Sequence, residues 1–538
     1  MNWQIIFIYI FFYYSKYIEP CSNIMEILSQ PPLELELETL TSSAEFVQRR
    51  RTVEILPTET AEYGSISGNY RCSFNIGSSG TEWLDGINSY FRLNLNVNAL
   101  STTVGTTVQA YLDEGGIHGL IKNVWIQLRN GTRIESIEDY NKLYAMISNA
   151  TMSPSQVESV ESMQSGDSMS HRPYLDPFRT SADVYNNSGV LAPFLPATSL
   201  LTVADVPDAT DVTGANARIA LARLDDGNLG RFIDPARKKN CIQNTEHVLT
   251  FKLMSNFLNH FKYLPLPMLQ QLQIVIEFER PSIGLFMDKY NVAGLSGQNI
   301  GAAGVDSLNY SVKGIRYIAN MVEPDQSIVD KYMKAWKSDG VSLSYQTYKR
   351  DKKSINNAAV FSGEIPVQYH SVRHILVGLM PDTAFVENGE AFGIPSNSVF
   401  RKYGLTNFIF KSGALRFPDH GPIQTDTIYA PEAFTQLMLA LNQHNNKLLD
   451  TRIRVWEWDP TIQRTYSGVG ALNQFTDATK FIIGVDTSRH NDFTGLDTTG
   501  QPIQVELNFT ANVNCNVLIF TCYDSILTLS SSGAIVRT

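Results

Sequence analysis

Two histidines have the spacing of a metal-ligand pair. His370 and His374 are four positions apart, which on a helix would place both imidazoles on one face. The stretch 365–380 that contains them has the pattern of a strand, where this spacing does not pair the rings. The His-x-His pattern of cupin metal sites is also absent from the chain. We therefore interpret both histidines as structural.

Acidic residues offer one further candidate for metal binding. Asp205, Asp208 and Asp211 could attract calcium, but their spacing does not match an EF-hand loop. The P-loop, the G-x-S-x-G elbow and the H-E-x-x-H motif do not occur in the sequence. The sequence thus predicts a protein that is not an enzyme, with no catalytic residues, no cofactor and no metal.

The cysteines and tryptophans are candidates for a disulfide framework and for a binding surface. The five cysteines form no C-x-x-C pair, so buried reduced thiols are favoured over disulfides or zinc. Trp456 and Trp458 flank Glu457 and would share one face of a strand, as in a sugar platform. Packing in a core or an interface is the favoured interpretation of this pair. The cysteines are Cys21, Cys72, Cys241, Cys515 and Cys522.

Size and charge limit the function classes. A chain of 538 residues exceeds one ordinary core, so two domains are expected. The net charge of −10 argues against a surface that mainly grips nucleic acid. Three short basic runs, 49–51, 237–239 and 349–353, are interpreted as solvated loops. The first belongs to an N-terminal arm that could face enclosed nucleic acid.

Strand patterns dominate the chain. Apolar residues alternate with polar ones over 91–98 and again over 124–129, which predicts strands with one buried face. Asn130-Gly131 then predicts a tight hairpin turn. Helices are few: one is predicted to start at Ser136 with a capping box to Asp139, one near Pro431, and a weaker one over 326–336.

The two clear helices indicate an internal duplication. Each follows a hairpin, and their apolar positions Tyr140 and Phe434 are 294 positions apart. A second repeated pattern is F-x-x-L followed by a strand that reads apolar-Gln-apolar. It relates Ile274 to Val505 at a spacing of 231 positions. The difference of 63 positions predicts an insertion in the first copy. A stretch rich in Ser, Asp, Asn, Ala and Pro over 153–240 fits it as a long surface excursion.

These patterns predict an all-β protein. We expect two jelly-roll β-sandwich or barrel domains in tandem, with a few short helices and long loops. The predicted organisation is an N-terminal arm over 1–60, a first roll over 61–280 and a second roll over 307–538. A Gly-rich linker is expected over 281–306.

The first residues could be a targeting segment or an extension. The apolar run 5–14 has the length of a signal core, but no basic residue precedes it and no clean cleavage site follows. Because Met25 offers a second start, 1–24 is interpreted as over-translated or disordered. Secretion is the alternative, and the chain carries N-x-S/T sites at Asn130, Asn149, Asn186, Asn309 and Asn508.

Several segments, in their order along the chain, resemble a known family. They are 70–76 (YRCSFNI), 84–91 (LDGINSYF), 115–122 (GGIHGLIK), 138–141 (EDYN) and 523–529 (YDSILTL). The sequence resembles the double jelly-roll major capsid proteins of Polinton/Maverick elements, adintoviruses and virophages, which are distantly similar to adenovirus hexon. The resemblance covers about 60–538, and nothing is transferred to 1–45.

The resemblance implies a virion protein, and the cysteine pattern favours synthesis inside the host cell without secretion. The resemblance also implies pseudo-hexagonal homotrimers that pack with neighbouring capsomers, and with a single jelly-roll penton protein, into an icosahedral shell around double-stranded DNA. A maturation protease and a packaging ATPase are further implied partners, and an internal membrane stays open. The insertion is expected to form a tower or a clasp, so deleting 160–230 should leave the rolls folded. The alternative function is a jelly-roll glycan-binding, lectin-like protein.

Overall fold

The computed structural model describes much of the chain. The described residues are 47–59, 61–77, 80–101, 106–112, 115–167, 246–269, 271–291, 306–338, 340–381, 399–444, 450–453, 458–459, 478, 480–488, 495–531 and 533–538. Within these residues, no helix combines the length and the apolar character needed to cross a membrane.

The first half of the chain forms two facing sheets. Its strands are β1 (Val47–Ile55), β2 (Glu62–Tyr63), β3 (Arg71–Ile76), β4 (Trp83–Ser101), β5 (Thr106–Leu112), β6 (Ile121–Leu128), β7 (Arg133–Ile137), β8 (Glu246–Phe251), β9 (Leu272–Phe278), β10 (Leu285–Asn291) and β11 (Asp306–Pro324). One sheet has the order β1-β11-β4-β8 and the other β3-β9-β6-β7. The ring of Phe74 on β3 meets that of Phe91 on β4 at 5.3 Å, so the sheets enclose a common core.

The alternation predicted for 91–98 is present in β4. Phe91, Leu93, Leu95 and Val97 are buried, as expected for a strand with one face on the core. The turn after β6 places Gly131 at a φ of 86°, which glycine tolerates. Both predictions are confirmed.

The second half repeats this plan with longer strands. They are β12 (Val341–Ile365), β13 (Val372–Pro381), β14 (Leu405–Ser412), β15 (Leu415–Phe417), β16 (Ile423–Gln424), β17 (Ile482–Asp486), β18 (Ile503–Ser530) and β19 (Gly533–Arg537). Residues 503–509 of β18 lie between β12 and β14, whereas 515–523 lie between β12 and β13. Each long strand therefore contributes to both sheets of the second roll.

The strand order confirms the duplication. The order β1-β11-β4-β8 corresponds to β12-β18-β13-β17, and β3-β9-β6-β7 corresponds to β12-β18-β14-β15. Equivalent isolated bridges join Leu84 to Leu264 in one half and Val372 to Leu496 in the other. In the first half, separate strands form the two sheets. In the second half, one long strand passes from one sheet into the other.

Helices are short and few among the described residues, as predicted. They include α1 (Tyr140–Thr151), α2 (Asn256–His260), α3 (Leu266–Leu269), α4 (Pro281–Gly284), α5 (Gln326–Ser338) and α6 (Pro431–Ala440). The predicted starts of α5 and α6 are confirmed. The start predicted at Ser136 is wrong, because Ser136 belongs to β7 and α1 begins after Asp139, whose φ is 48° and whose side chain does not cap the helix.

The predicted boundaries of the arm, the linker and the second roll are wrong, and so is the interpretation of basic runs as loops. Residues 47–55 of the expected arm form β1, which pairs with β11. The described part of the expected linker contains β10, paired with β5, and residues 306–324 pair with β4 of the first half. The basic runs 49–51 and 349–353 lie inside β1 and β12 and are not loops. The mostly exposed side chains of β1 hid that strand from periodicity.

The predicted insertion begins with ordered structure. Short helical turns cover Pro154–Gln156, Val157–Glu161 and Ser162–Gln164. Val157 and Asp167 are fully buried. The prediction that the surface excursion begins at residue 153 is therefore wrong for 153–167. The rest of the insertion, the expected arm up to residue 46, Asp205, Asp208 and Asp211 lie outside the described residues.

The junction between the two rolls as candidate functional site

The two histidines predicted to be structural do not form a pair. His374 is half-buried on β13, where its Nε2 lies 3.1 Å from the hydroxyl of Tyr348, and desolvation lowers the pKa of His374 to about 4. His370 is exposed before that strand, with Nδ1 3.9 Å from a carboxylate oxygen of Asp497. In the described parts of the chain, no group of three His, Cys, Asp or Glu side chains could hold a metal ion.

The described aromatic and thiol candidates belong to the core. Trp458 is buried against Phe434 and Phe481, and its Nε1 donates to the carbonyl of Tyr429 at 3.1 Å. It is therefore not available as a sugar platform, and Trp456 lies outside the described residues. Cys72, Cys515 and Cys522 are buried and form no disulfide, as predicted. Cys21 and Cys241 are not among the described residues.

The chemistry that the sequence missed lies where the two rolls meet. Asp139, at the start of α1 in the first roll, accepts hydrogen bonds from Arg350 on β12 of the second roll and from Lys142 at 2.7 Å. Arg350 also lies 3.1 Å from Glu138. Burial alone would raise the pKa of Asp139, but the two neighbouring cations outweigh it and hold the pKa below its usual value.

A second ionic contact at the junction is fully buried. Arg452 binds Asp167 through two bonds, Nη1 to Oδ2 at 2.7 Å and Nη2 to Oδ1 at 3.0 Å, and neither side chain is exposed. Asp167 also accepts from the backbone N–H of Gly115 at 2.8 Å. The backbone N–H of Arg452 donates to the carbonyl of Asn149 in α1 at 3.1 Å. This bidentate pair ties the start of the insertion to the second half of the chain.

Neutral polar groups complete the contact. The hydroxyl of Tyr345 on β12 donates to the carbonyl of Ile134 on β7 at 2.5 Å, and its ring packs on Phe257 of α2 at 5.1 Å. Beside it, buried Glu135 accepts from the hydroxyl of Ser255 and from the N–H of Asn256 at 3.2 Å. Burial raises the pKa of Glu135 to about 7.

His118 anchors α1 to the first roll. Its Nδ1 lies 2.9 Å from the hydroxyl of Tyr140, which accepts from the N–H of Met254 at 2.9 Å. Burial lowers the pKa of His118 to about 3, and its ring stacks on Tyr144 at 3.9 Å. The junction is therefore carried by a helix that is rigidly held.

The arrangement has the character of a structural joint. Its ion pairs engage Arg350 with Glu138 and Asp139, and Arg452 with Asp167. Sequence reasoning missed the junction because Asp139 and Arg350 are 211 positions apart and Arg452 and Asp167 are 285 apart. The only signal in the sequence was the GGIH and EDYN segments, which contain His118 and Asp139.

Comparisons with known proteins give structural matches only. No protein-family model matches the chain, and no curated protein matches it by sequence. A chain of the Sputnik virophage, solved by cryo-EM at 3.5 Å, superposes with a TM-score of 0.53 at 12% identity, covering 92% of this chain and 89% of that one. The mavirus major capsid protein, in a crystal structure, matches with a TM-score of 0.43 at 12% identity over 90% of each chain.

The Faustovirus major capsid protein matches with a TM-score of 0.45 at 11% identity, covering 91% of this chain and 92% of that one. Among these three, the Sputnik virophage chain is the match that supports a shared fold, and it does so over almost the whole length of both chains. Together with the repeated strand order, it shows that this chain has the all-β double jelly-roll fold that the sequence predicted.

Proposed function

We propose that this chain is a structural major capsid protein that forms the shell of an icosahedral double-stranded DNA virus or virus-like element. The observation that carries the proposal is the duplicated double jelly roll shared with a chain of the Sputnik virophage across 92% of this protein. The junction supports it, because its charged side chains hold two rolls together and are engaged with one another. A shell subunit needs such a fixed pair of rolls.

The proposed assembly is a homotrimer. Three chains with two similar rolls each present six similar corners, which suits a hexagonal lattice of neighbouring capsomers. A single jelly-roll penton protein would close the fivefold positions. The net charge of −10 favours a shell that encloses DNA and touches it only indirectly, through the N-terminal arm.

We further propose synthesis inside the host cell without secretion. Two of the five glycosylation motifs support this, since Asn149 is buried in α1 and Asn508 is half-buried on β18, where its amide donates to Asn407 at 2.7 Å. Mass spectrometry of protein from infected or expressing cells should find the five asparagines unmodified. Glycans on them, together with a cleaved leader, would overturn this part of the proposal.

Negative-stain microscopy of the purified full chain tests the main proposal. We expect pseudo-hexagonal trimers or closed shells, with a light-scattering mass of three chains or more. A monomer retained on immobilised glycans would instead support the lectin-like alternative. The buried position of Trp458 gives that alternative no support in the described residues.

A further inference from the structure

The junction joins two different surfaces. The turn surface of the first roll consists of β7 and the residues before α1, and it supplies Glu135, Glu138 and Asp139. The strand surface of the second roll is the face of β12 that carries Tyr345 and Thr347, with Arg350 beside them. These last two strand residues, Tyr345 and Thr347, are almost completely buried.

Duplication gives each roll both kinds of surface. Leu84 and Val372 occupy equivalent places, and they pair with Met321 and Tyr523 respectively. Across those partners lie Arg51 on β1 and Thr347 on β12. Counting along the two strands from this pair relates Tyr345 to Arg49 and Arg350 to Glu54.

Among the described residues, none covers the strand surface of the first roll. Arg49, Arg51 and Glu54 are exposed on β1, whereas their equivalents on β12 are buried or half-buried by contact with the first roll. Arg51 binds Glu82 through its guanidinium, yet 43% of its side chain stays exposed. Glu54 is 54% exposed beside Arg316.

The turn surface of the second roll is likewise left exposed by the part of the chain that the structure describes. Pairing of β6 with β7 and of β14 with β15 relates Glu135 to Phe417. The left-handed residues directly before α1 and α6 relate Asp139 to Ala430, and hence Glu138 to Tyr429. The helix starts are thus 291 positions apart, which replaces the spacing of 294 counted between Tyr140 and Phe434 in the sequence. Ile428 is 68% exposed and Tyr429 is 50% exposed.

The backbone holds this turn in a costly shape. Tyr429 and Ala430 have φ values of 69° and 39°, in the left-handed region that favours glycine. The buried carboxylate of Asp459 accepts from the N–H of Tyr429, and Trp458 donates to its carbonyl. A strained turn that is fixed from below and presents two large apolar side chains to solvent is typical of a contact surface.

We propose that the turn surface of the second roll docks on the strand surface of the first roll in another copy of this chain. The inference rests on the proposed capsid function and deepens it by naming the contact. By equivalence, Phe417 lies opposite Arg51, an aromatic ring facing a guanidinium. Tyr429 lies opposite Glu54, a phenol donor facing a carboxylate, where the junction within the chain has Glu138 facing Arg350.

A second copy is the occupant because the chain leaves one surface of each kind exposed. Those two surfaces do not cover each other within one chain, since both are exposed. Two unlike surfaces make a head-to-tail contact, which repeats until a ring closes. With the same geometry inside and between chains, three copies make a ring of six rolls.

Two double variants of the full chain test the assignment. Ile428→Asp with Tyr429→Asp disrupts the turn surface, and Arg49→Glu with Glu54→Lys disrupts the strand surface without changing net charge. Matched controls are Ile66→Asp, at a residue 54% exposed, and the exchanged pair Lys313→Glu with Glu62→Lys. Light scattering after size exclusion should show three-chain particles for the wild type and both controls, and single chains for each surface variant.

Mixing the two surface variants gives a sharper result. Each retains the surface that the other lacks, so an equimolar mixture should form two-chain particles that cannot close into a ring. The surface assignment would be overturned if both variants stayed trimeric like the wild type. It would also be overturned if the mixture stayed as single chains. Neither result would contradict the capsid function. A wild type that never self-associates would overturn both.

Cross-linking provides a readout that does not depend on weakened folding. A chain with Tyr429→Cys and Glu54→Cys should form disulfide-linked dimers and trimers on oxidation, seen on non-reducing gels. Either cysteine alone should give mainly single chains. Absence of linked species from trimeric protein would contradict the proposed contact.

Discussion

At the scale of single residues, ionic contacts between distant positions hold the two rolls together. The bidentate pair of Arg452 and Asp167 is fully buried, so each charge depends on the other for the hydrogen bonds that water would supply. Asp139 and Arg350 form a second contact, of which Arg350 is partly exposed. The buried pair should therefore be the more sensitive one.

Replacing Arg452 with Met should destabilise the protein by about 3–5 kcal/mol, because Asp167 keeps a buried charge without its partner. Urea unfolding followed by circular dichroism measures the loss. The control is Lys313→Ala, which removes an exposed contact with Glu62 at 3.6 Å and should cost less than about 1 kcal/mol. Equal losses in the two variants would show that the buried pair is not structural.

Glu135 predicts a pH dependence of stability. Burial raises its pKa from 4.5 to about 7 in the folded protein. The unfolded chain therefore releases this proton at lower pH than the folded chain does. The contribution is fully present below pH 4.5 and is lost as the pH rises through about 7, on the order of 3 kcal/mol in total.

The measurement is the unfolding free energy of wild type and Glu135→Gln between pH 4.5 and 8. As the pH rises, the unfolding free energy of Glu135→Gln should increase relative to that of the wild type. Tyr140 and Tyr345 face Glu135, but burial raises the pKa of both above this window. A difference that is constant with pH would contradict the raised pKa.

These residue contacts could not be predicted from the sequence. Arg350 stands in a basic run, 349–353, that looks like a solvated loop when only its neighbours are considered. Its partner Asp139 lies 211 positions earlier and reaches it only after both rolls have folded. Periodicity reports the face of one strand and carries no information about which distant element covers it.

At the scale of elements, one glycine permits a helix of the first roll to approach a strand of the second. A Cβ on Gly378 in β13 would lie 2.4 Å from Cε of Met146 in α1 and 2.5 Å from Cδ1 of Phe400. Met146 can move its flexible end, but the ring of Phe400 is fully buried. The close approach of α1 to β13 therefore requires glycine here.

Gly378→Ala should destabilise the protein by about 1–3 kcal/mol through overpacking. Its control is Gly77→Ala, where a Cβ would meet nothing within 4 Å and the effect should stay within about 0.5 kcal/mol. Thermal unfolding compares the two. If the clash with α1 is the cause, Gly378→Ala combined with Met146→Ala should lose less stability than the sum of the two single losses, because Met146 is itself fully buried.

Elements differed in how well the sequence predicted them. Strand β4 keeps one face on the core, so its alternation was visible. Strand β12 is covered on both faces near Thr347 and Tyr348, which removes the alternation, and β1 lies at a sheet edge with mostly exposed side chains. Repeated hairpins and helices nevertheless revealed the duplication, because local patterns survive even where pairing partners are unknown.

At the scale of the whole molecule, the two halves differ in how they connect their sheets. The second half runs through both sheets in the long strands β12 and β18. The first half separates these parts and carries the insertion. The insertion's described start is not peripheral, since Asp167 binds Arg452 of the other half. Whether a deletion within the insertion leaves the rolls folded therefore depends on whether it removes Asp167.

Two deletions of equal length should behave differently. Removing 160–230 takes away Asp167 and leaves Arg452 buried without its carboxylate, so the melting temperature should fall well below that of the full chain. Removing 170–240, joined by a short Gly-Ser linker, keeps Asp167 and should preserve the folded rolls. Adding Arg452→Met to the first deletion should restore part of the lost stability, because it removes the unpaired buried charge. Equal melting temperatures for the two deletions would show that Asp167 does not connect the halves, and unfolding of both would show that the deleted residues belong to the core.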